Sequence, residues 1–172
     1  KFLKSLNFFL NKSLISIIKF KSKNVSFNSR FSAKERIYEY RIINREGPLS
    51  LNKDKAWHIR RNLNINLLKK GAKLLEGTHN FSTFRASSCS AISAIKKMNS
   101  VKVKKKGESI IIVFKSKSFL QNQVRSMVGC LEYLSSGKWS EEKFKKAFKS
   151  KKRAQCAPPA PAHGLYLLNI KY

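Results

Sequence analysis

The sequence predicts an α+β fold with a largely antiparallel sheet. Three observations carry that expectation. Arg36 to Asn44 concentrates Ile37, Tyr38, Tyr40, Ile42 and Ile43, the β-branched and aromatic side chains that suit a half-buried strand. Val101 to Lys104 alternates apolar with basic residues, and Lys105-Lys106-Gly107-Glu108 turns the chain into Ser109 to Lys115, completing a hairpin. Leu120, Val124, Met127, Val128, Leu131 and Leu134 recur at helical spacing and form the clearest apolar stripe in the chain.

The other elements follow in chain order. Phe2 to Asn11 reads as a helix, with Leu3, Leu6 and Leu10 among its apolar positions. Leu14 to Phe20, holding Ile15, Ile17 and Ile18, reads as a short strand, and the polar stretch Asn24 to Ser29 as a loop. Gly47-Pro48 ends the strand that starts at Arg36. Leu68, Ala72 and Leu75 fall at i, i+4 and i+7 of a helix, with Gly77 where a C-terminal cap belongs. Ser140 caps a further helix, whose positive first turn carries Glu141 and Glu142 and whose inner face carries Phe144, Ala147 and Phe148. Prolines exclude regular structure from Ala157 to Gly164, and Leu165 to Ile170 closes the chain as a strand.

The 172 residues suit one domain, or a domain with an appendage, and can enclose a sizeable core. Against 37 Lys plus Arg stand 9 Asp plus Glu, a formal charge of +28. Self-repulsion on that scale costs stability unless an anion relieves it, and polyphosphate does so by releasing counterions. Nucleic acid is thus the favoured partner class. An A+T-rich coding sequence would raise Lys, Asn, Ile and Phe together, so composition alone leaves both explanations open. The 42% apolar fraction argues against a wholly disordered chain. The longest unbroken apolar run, Ile110 to Phe114, is too short to span a bilayer. Cys89, Cys130 and Cys156 are few, odd in number and far apart, which fits a reducing compartment better than a disulfide scaffold. The chain opens on Lys1 with a helix-like pattern that reads as the interior of a domain, so Lys1 is expected to be a truncation point. A secretory signal does not fit, because Lys12 and Lys19 interrupt any apolar core.

Few residues offer chemistry. His58, His79 and His163 have no Cys or His neighbour at zinc-site spacing, and no Gly-rich phosphate loop is present. Asp54, the only aspartate, sits in Asn52-Lys53-Asp54-Lys55 and reads as a turn residue. Arg125 lies roughly 120° from the centre of its helix's apolar stripe, at the boundary of core and surface. There it is either a solvated cation or a guanidinium held over a cleft, bidentate to a carboxylate or phosphate. Tyr38 and Tyr40 share one strand face. Either both pack in the core, or that face borders a groove where Tyr38 stacks on an extruded base.

At these residues a resemblance emerges. Arg30-Phe-Ser-Ala-Lys-Glu-Arg-Ile-Tyr38-Glu-Tyr40-Arg-Ile resembles the segment that opens the C-terminal half of the tRNA pseudouridine synthase A family. The likeness continues at Gly77-Thr-His-Asn-Phe-Ser-Thr-Phe-Arg85, with Cys89 beyond it, and at Ser118-Phe-Leu-Gln-Asn-Gln-Val-Arg125-Ser-Met-Val-Gly129. It ends at Ala160-Pro-Ala-His-Gly-Leu-Tyr-Leu167 and the terminal Tyr172. Four motifs in order across some 140 residues are more specific than any one of them.

The resemblance implies a mixed, largely antiparallel sheet with helices packed against it. It also implies isomerisation of uridine to pseudouridine at positions 38, 39 and 40 of the tRNA anticodon stem-loop. A cytoplasmic homodimer acting on tRNA, without metal or other cofactor, belongs to the same expectation. Residues 1–29 would be the tail end of an N-terminal half, and residues 30–172 the C-terminal domain. Tyr38 matches the family's uracil-stacking tyrosine and Arg125 the arginine that pairs with the catalytic aspartate; Arg30 and Arg85 match basic positions near the RNA path. The nucleophilic aspartate lies in an Arg-Thr-Asp-Ala-Gly-Val-His motif that this chain does not contain, and Asp54 does not match it. The departures are Gln121 and Asn122 where histidines are frequent, Asn80 where Asp is, and Ala94 and Lys96 where Pro and Arg are usual. The chain is expected to be inactive without that aspartate. The competing reading is a non-catalytic RNA-binding or ribosome-associated protein on the same scaffold.

Overall fold

A computed structural model describes residues 1–172, which divide into two compact units, Lys1–Ser32 and Ala33–Tyr172. In the first unit, helix α1 spans Phe2–Leu10 and passes through a single 3₁₀ turn at Asn11–Ser13. The strand expected over Leu14 to Phe20 does not form. Its side chains favour β structure, but no neighbouring strand is there to pair with. Instead the Asn7 amide bonds the Ile17 backbone on both sides, donating to its carbonyl at 2.9 Å and accepting from its N–H at 2.7 Å. One side chain thus substitutes for a ladder, and Ile15, Ile18 and Phe20 stay exposed.

The second unit is built on a six-stranded sheet. Its strands are β1 (Glu35–Asn44), β2 (Trp57–Ile59), β3 (Gly77–Asn80), β4 (Ile95–Lys106), β5 (Ser109–Ser116) and β6 (Leu165–Lys171). The order is β2-β1-β5-β4-β3, with β6 also paired to β1. Only the β1–β2 contact is parallel, so the sheet is mixed and largely antiparallel as expected. The β4–β5 hairpin turns through Gly107 and Glu108, where Lys106 pairs with Ser109. Gly107 takes φ 55° at the first central position, as a II′ turn requires. Strand β4 starts earlier than the alternation at Val101 suggests. Strands β2 and β3, three and four residues long, carry too little pattern to stand out in the sequence.

Three helices cover one face of this sheet. Helix α2 (Ile65–Leu74) packs on β4 and on α3 (Gln123–Ser135), and α4 (Glu141–Lys149) packs on both helices. On β5 every second residue is buried, so Ile110, Ile112 and Phe114 meet the helices together with Tyr40 and Ile42 of β1. From the helices come Leu68, Ala72, Val124, Met127, Leu131, Leu134 and Phe144. Helix α3 begins later than its apolar stripe predicts. Leu120 is buried but precedes the helix, because Asn122 turns the chain left-handed at φ 58°. Helix α4 matches the sequence expectation, with the Ser140 hydroxyl accepting from the Lys143 N–H. Cys130 and Cys156, far apart in sequence, come together with their sulfurs 3.5 Å apart and no bond between them.

Helix α2 is capped by Asn64, whose side-chain oxygen accepts from the N–H groups of Asn66 and Leu67 at 3.0 and 3.1 Å. Asn64→Ala is expected to cost about 1 kcal/mol in urea unfolding, because two orphan donors lose their partner. Glu76, just past this helix, accepts from the Val101 N–H at 2.9 Å and pairs with Lys73 at 2.6 Å. The bond to Lys73, followed by that from Val101, holds its carboxyl below the ordinary value of 4.5. The folded state therefore resists protonation more than the unfolded chain does. The stabilisation is complete above the unfolded pKa and disappears as pH falls through the lower folded value. Unfolding free energy measured across the acid range is expected to fall below about pH 4.5 in the wild type, and less steeply in Glu76→Gln.

Candidate active site

The face of β1 that carries Tyr40 into the core carries Tyr38 to the core's edge. Tyr40 is fully buried, its ring edge-on to Trp57 and its hydroxyl donating to the Pro161 carbonyl at 2.7 Å. Burial pushes this phenol's pKa up, only partly offset by the Arg125 charge, so it stays a protonated donor. Tyr38 is half-buried and meets Phe119 edge-on, with ring centroids 5.0 Å apart. Two residues of period 2 thus take different roles: one anchors, the other lines a cavity.

That cavity, about 260 Å³, is bounded by Tyr38, Phe119, Gln123, Arg125 and Leu165 among others. Ordinary ligand pockets begin near about 300 Å³, so the space suits a single planar ring better than a larger ligand. Its floor is set by the turn into α3. The Gln123 side-chain oxygen accepts from the Leu120 N–H at 2.8 Å, and the Gln123 N–H donates to the Leu120 carbonyl at 3.1 Å. The Gln123 side-chain nitrogen, also buried, has no partner.

Arg125 follows in the first turn of α3. Its Nε donates to the Ala160 carbonyl at 2.7 Å and its Nη1 to the Asn122 side-chain oxygen at 3.5 Å. The Ala160 N–H returns a bond to the Arg125 carbonyl at 3.0 Å. This reciprocal pair fixes the side chain to the segment after Cys156. The approach is possible because Gly129, one turn along α3, leaves room for the Pro158 carbonyl. Neutral oxygens hold the guanidinium and no carboxylate pairs with it, so its full charge bears on the cavity. Such a cation stabilises an ionised acid beside it.

No acidic residue lines the cavity. Asp54 sits in an exposed turn at φ 59° and borders a different hollow, beside His58 and His163. Glu132, the one buried carboxylate, pairs with Arg61 and Lys138 on a later turn of α3. No group of three or more His, Cys, Asp or Glu is assembled for a metal, and no helix is long and apolar enough to cross a membrane.

Of the four candidate residues, Tyr38 and Arg125 line the same cavity. Arg85 does not reach it. Its Nη2 donates to the Cys89 carbonyl at 2.6 Å, although its loop is tied to the cavity rim by the Ala86 N–H bonding the Gln121 carbonyl at 3.1 Å. The Cys89 thiol is held below its usual pKa chiefly by the Ala91 backbone, then by that of Gln121, with Arg85 contributing. Arg30 lies in the Lys1–Ser32 unit, its guanidinium over the Phe31 ring at 5.7 Å. Most of the Gly77–Arg85 motif is structural: His79 contacts the Glu76 carbonyl, Asn80 caps Ser82, and Phe81 and Phe84 fill the core. Sequence reasoning missed Gln123 and Ala160. Gln123 stood within a quoted motif, but the contribution of Ala160 is a backbone carbonyl, which no residue type signals.

A strongly basic α+β protein whose sheet and helix bring a tyrosine and an uncompensated arginine to a ring-sized cavity fits the class of enzymes that work on a base taken out of its stack. Comparison with known proteins narrows this. A family model described as tRNA pseudouridine synthase matches residues 72–172. The tRNA pseudouridine synthase A of Pelagibacter ubique is 55% identical over 172 residues, covering all of this chain and 70% of the relative. Those of Parvibaculum lavamentivorans and Xanthobacter autotrophicus are 41% and 44% identical, over 92% and 86% of this chain and 64% and 60% of theirs. The chain belongs to the tRNA pseudouridine synthase family, and it spans between 60% and 70% of the length of these relatives.

Proposed function

We propose that this chain forms the base-holding part of a tRNA pseudouridine synthase acting on uridines in the anticodon stem-loop. The observation that carries the reading is the meeting of Tyr38 and Arg125 at one cavity, two side chains 87 positions apart that the resemblance assigns to a single reaction. The reaction breaks the C–N glycosidic bond, turns the uracil and rejoins it to the ribose through ring carbon. Substrate and product are isomers, so no oxidant, reductant or group donor enters. A carboxylate nucleophile is required, and none borders the cavity. It would come from the portion of such enzymes outside this chain. Arg125 would hold that acid ionised. Tyr38 would stack on the extruded base and assist removal of the proton from the ring carbon that bonds to ribose. Arg85 and Arg30 would bind RNA rather than act in the chemistry. Residues 1–29 would belong with the N-terminal half and residues 30–172 with the C-terminal domain, in a cytoplasmic homodimer.

The lack of a carboxylate at the cavity also favours a second reading, a non-catalytic RNA-binding protein on the same scaffold. One experiment decides between them. Release of tritium from tRNA labelled at uracil C5 is measured for the chain alone. It is measured again for the chain joined to the part of the Pelagibacter ubique relative that it does not match. No release from the first and turnover from the second is the expected result. Turnover by the chain alone contradicts the assignment of the nucleophile, and Asp54→Asn is the control that shows whether Asp54 supplies it. No turnover from either favours the binding protein.

A further inference from the structure

The densest run of cations in the chain lies outside the cavity. Between Lys143 and Arg153 stand seven basic residues, and no Asp or Glu lies among them. Helix α4 turns Phe144 and Ala147 into the core, which leaves its lysines on the outer face. The chain then bends left-handed at Lys151, φ 56°, and brings Lys152 back over the end of the helix. Ser150 locks the bend, donating to the Ala147 carbonyl at 2.7 Å and accepting from the Lys152 N–H at 3.2 Å. The result is a groove of about 830 Å³ with Lys145, Lys146, Lys149 and Lys152 on its walls. None of these four makes an ion pair. Glu142, the one acid bordering the groove, is engaged by its own backbone N–H and by Ser140 at the helix start. The helix dipole accounts for Lys146 and Lys149 in the last turn, and Lys145 acts on Glu142 one turn before it, but neither accounts for Lys152.

One contact ties the segment after α4 to the helix that carries the cavity's arginine. The Arg153 Nη1 donates to the Ser126 hydroxyl at 2.9 Å, and Ser126 follows Arg125 in the chain. Arg153 thus anchors the end of the lysine-rich segment on α3, one residue along the chain from Arg125. A basic groove whose lysines make no ion pair is complementary in sign to a sugar-phosphate backbone.

We propose that the α4 groove holds the phosphate backbone of the tRNA away from the target nucleotide, as a docking site separate from the cavity that takes the base. This rests on the tRNA reading. Phosphate contacts position without reading sequence, so the groove would contribute affinity and orientation for every tRNA alike.

The test compares two variants of the full chain with equal loss of charge. One carries Lys145→Gln, Lys146→Gln, Lys149→Gln and Lys152→Gln; the other carries Lys97→Gln, Lys104→Gln, Lys105→Gln and Lys106→Gln on exposed positions of β4. Binding of an unmodified tRNA transcript is followed by fluorescence anisotropy between about 50 and 200 mM salt. With roughly 0.7–0.9 per phosphate neutralised, the groove variant is expected to lose about 3 from the slope of log affinity against log salt. It should bind at least roughly tenfold more weakly near physiological salt. The β4 variant should change the slope by less than about 1. Four Lys→Arg changes in the groove should preserve binding, and the melting temperatures of all variants show that folding is intact. Equal losses in both Gln variants, or none in the groove variant, overturn the groove while leaving the tRNA reading standing. Failure of the wild-type chain to bind tRNA overturns both.

Discussion

Arg125→Ala is expected to lower pseudouridine formation by about 10²–10³-fold in the chain joined to the unmatched portion of its Pelagibacter ubique relative, the size typical of losing one preorganised charge-stabilising group. The guanidinium is held by oxygens that carry no charge, so nothing else in this chain would replace its field at the cavity. Arg125→Lys keeps the charge but loses the planar fork that lets Nε bind Ala160 while an outer nitrogen is left for the acid proposed above. It should recover only part of the rate. Two readouts separate this from a structural effect. tRNA affinity should change far less than turnover, and the pH at which turnover fails on the acid side should rise, because an acid without its cation protonates more readily. Loss of binding equal to the loss of turnover would instead make Arg125 a phosphate contact.

Gly129→Ala is expected to destabilise the chain by roughly 3 kcal/mol, the upper part of the range for overpacking a dense core. An added Cβ would overlap the Pro158 carbonyl oxygen, and would lie 3.2 Å from the Pro158 carbonyl carbon and 3.4 Å from the Ala160 nitrogen. These are backbone atoms and cannot rotate aside. Gly71→Ala gives the contrast. There the Cβ would meet the side-chain ends of Leu134 and Leu131 at 2.6 and 2.8 Å, which can move. The urea midpoint should therefore fall further for Gly129→Ala than for Gly71→Ala, against a total stability that for such domains is about 5–15 kcal/mol. The two sites differ in function as well. Displacing Pro158 shifts the Ala160 carbonyl that holds Arg125, so Gly129→Ala should also lower turnover in the joined protein, whereas Gly71→Ala should leave it near wild type.

Elements with a long periodic signal were legible in the sequence. Strand β1, the β4–β5 hairpin, and helices α3 and α4 each repeat their apolar residues often enough to declare both period and face. The failures have particular causes. Leu14 to Phe20 has the composition of a strand, but a strand exists only against a partner, and Asn7 supplies the one backbone pairing it obtains. Trp57–Ile59 and Gly77–Asn80 are too short for any period to show, and their pairing with β1 and β4 decides them. Within the site, the helical angle left Arg125 between two roles, and the motif resemblance rather than any periodicity paired it with Tyr38. The Ala160 carbonyl, the left-handed Asn122 and the closeness of Cys130 to Cys156 are tertiary outcomes. They depend on where the proline-rich segment lands on α3, which residue types alone do not encode.

Strand β6 pairs with β1 on one side only, and its register slips so that Ile37 faces Asn169 while Tyr38 faces Leu167. The surplus residue, Leu168, and its neighbour Leu167 are each about half exposed. An uninterrupted outer strand with two such leucines would invite other copies to add on, the first step toward fibres. The slip divides that outer rail into two short stretches that no straight visitor can follow together. The irregularity beside Tyr38 is thus expected to make edge-to-edge addition of further copies of this chain less favourable.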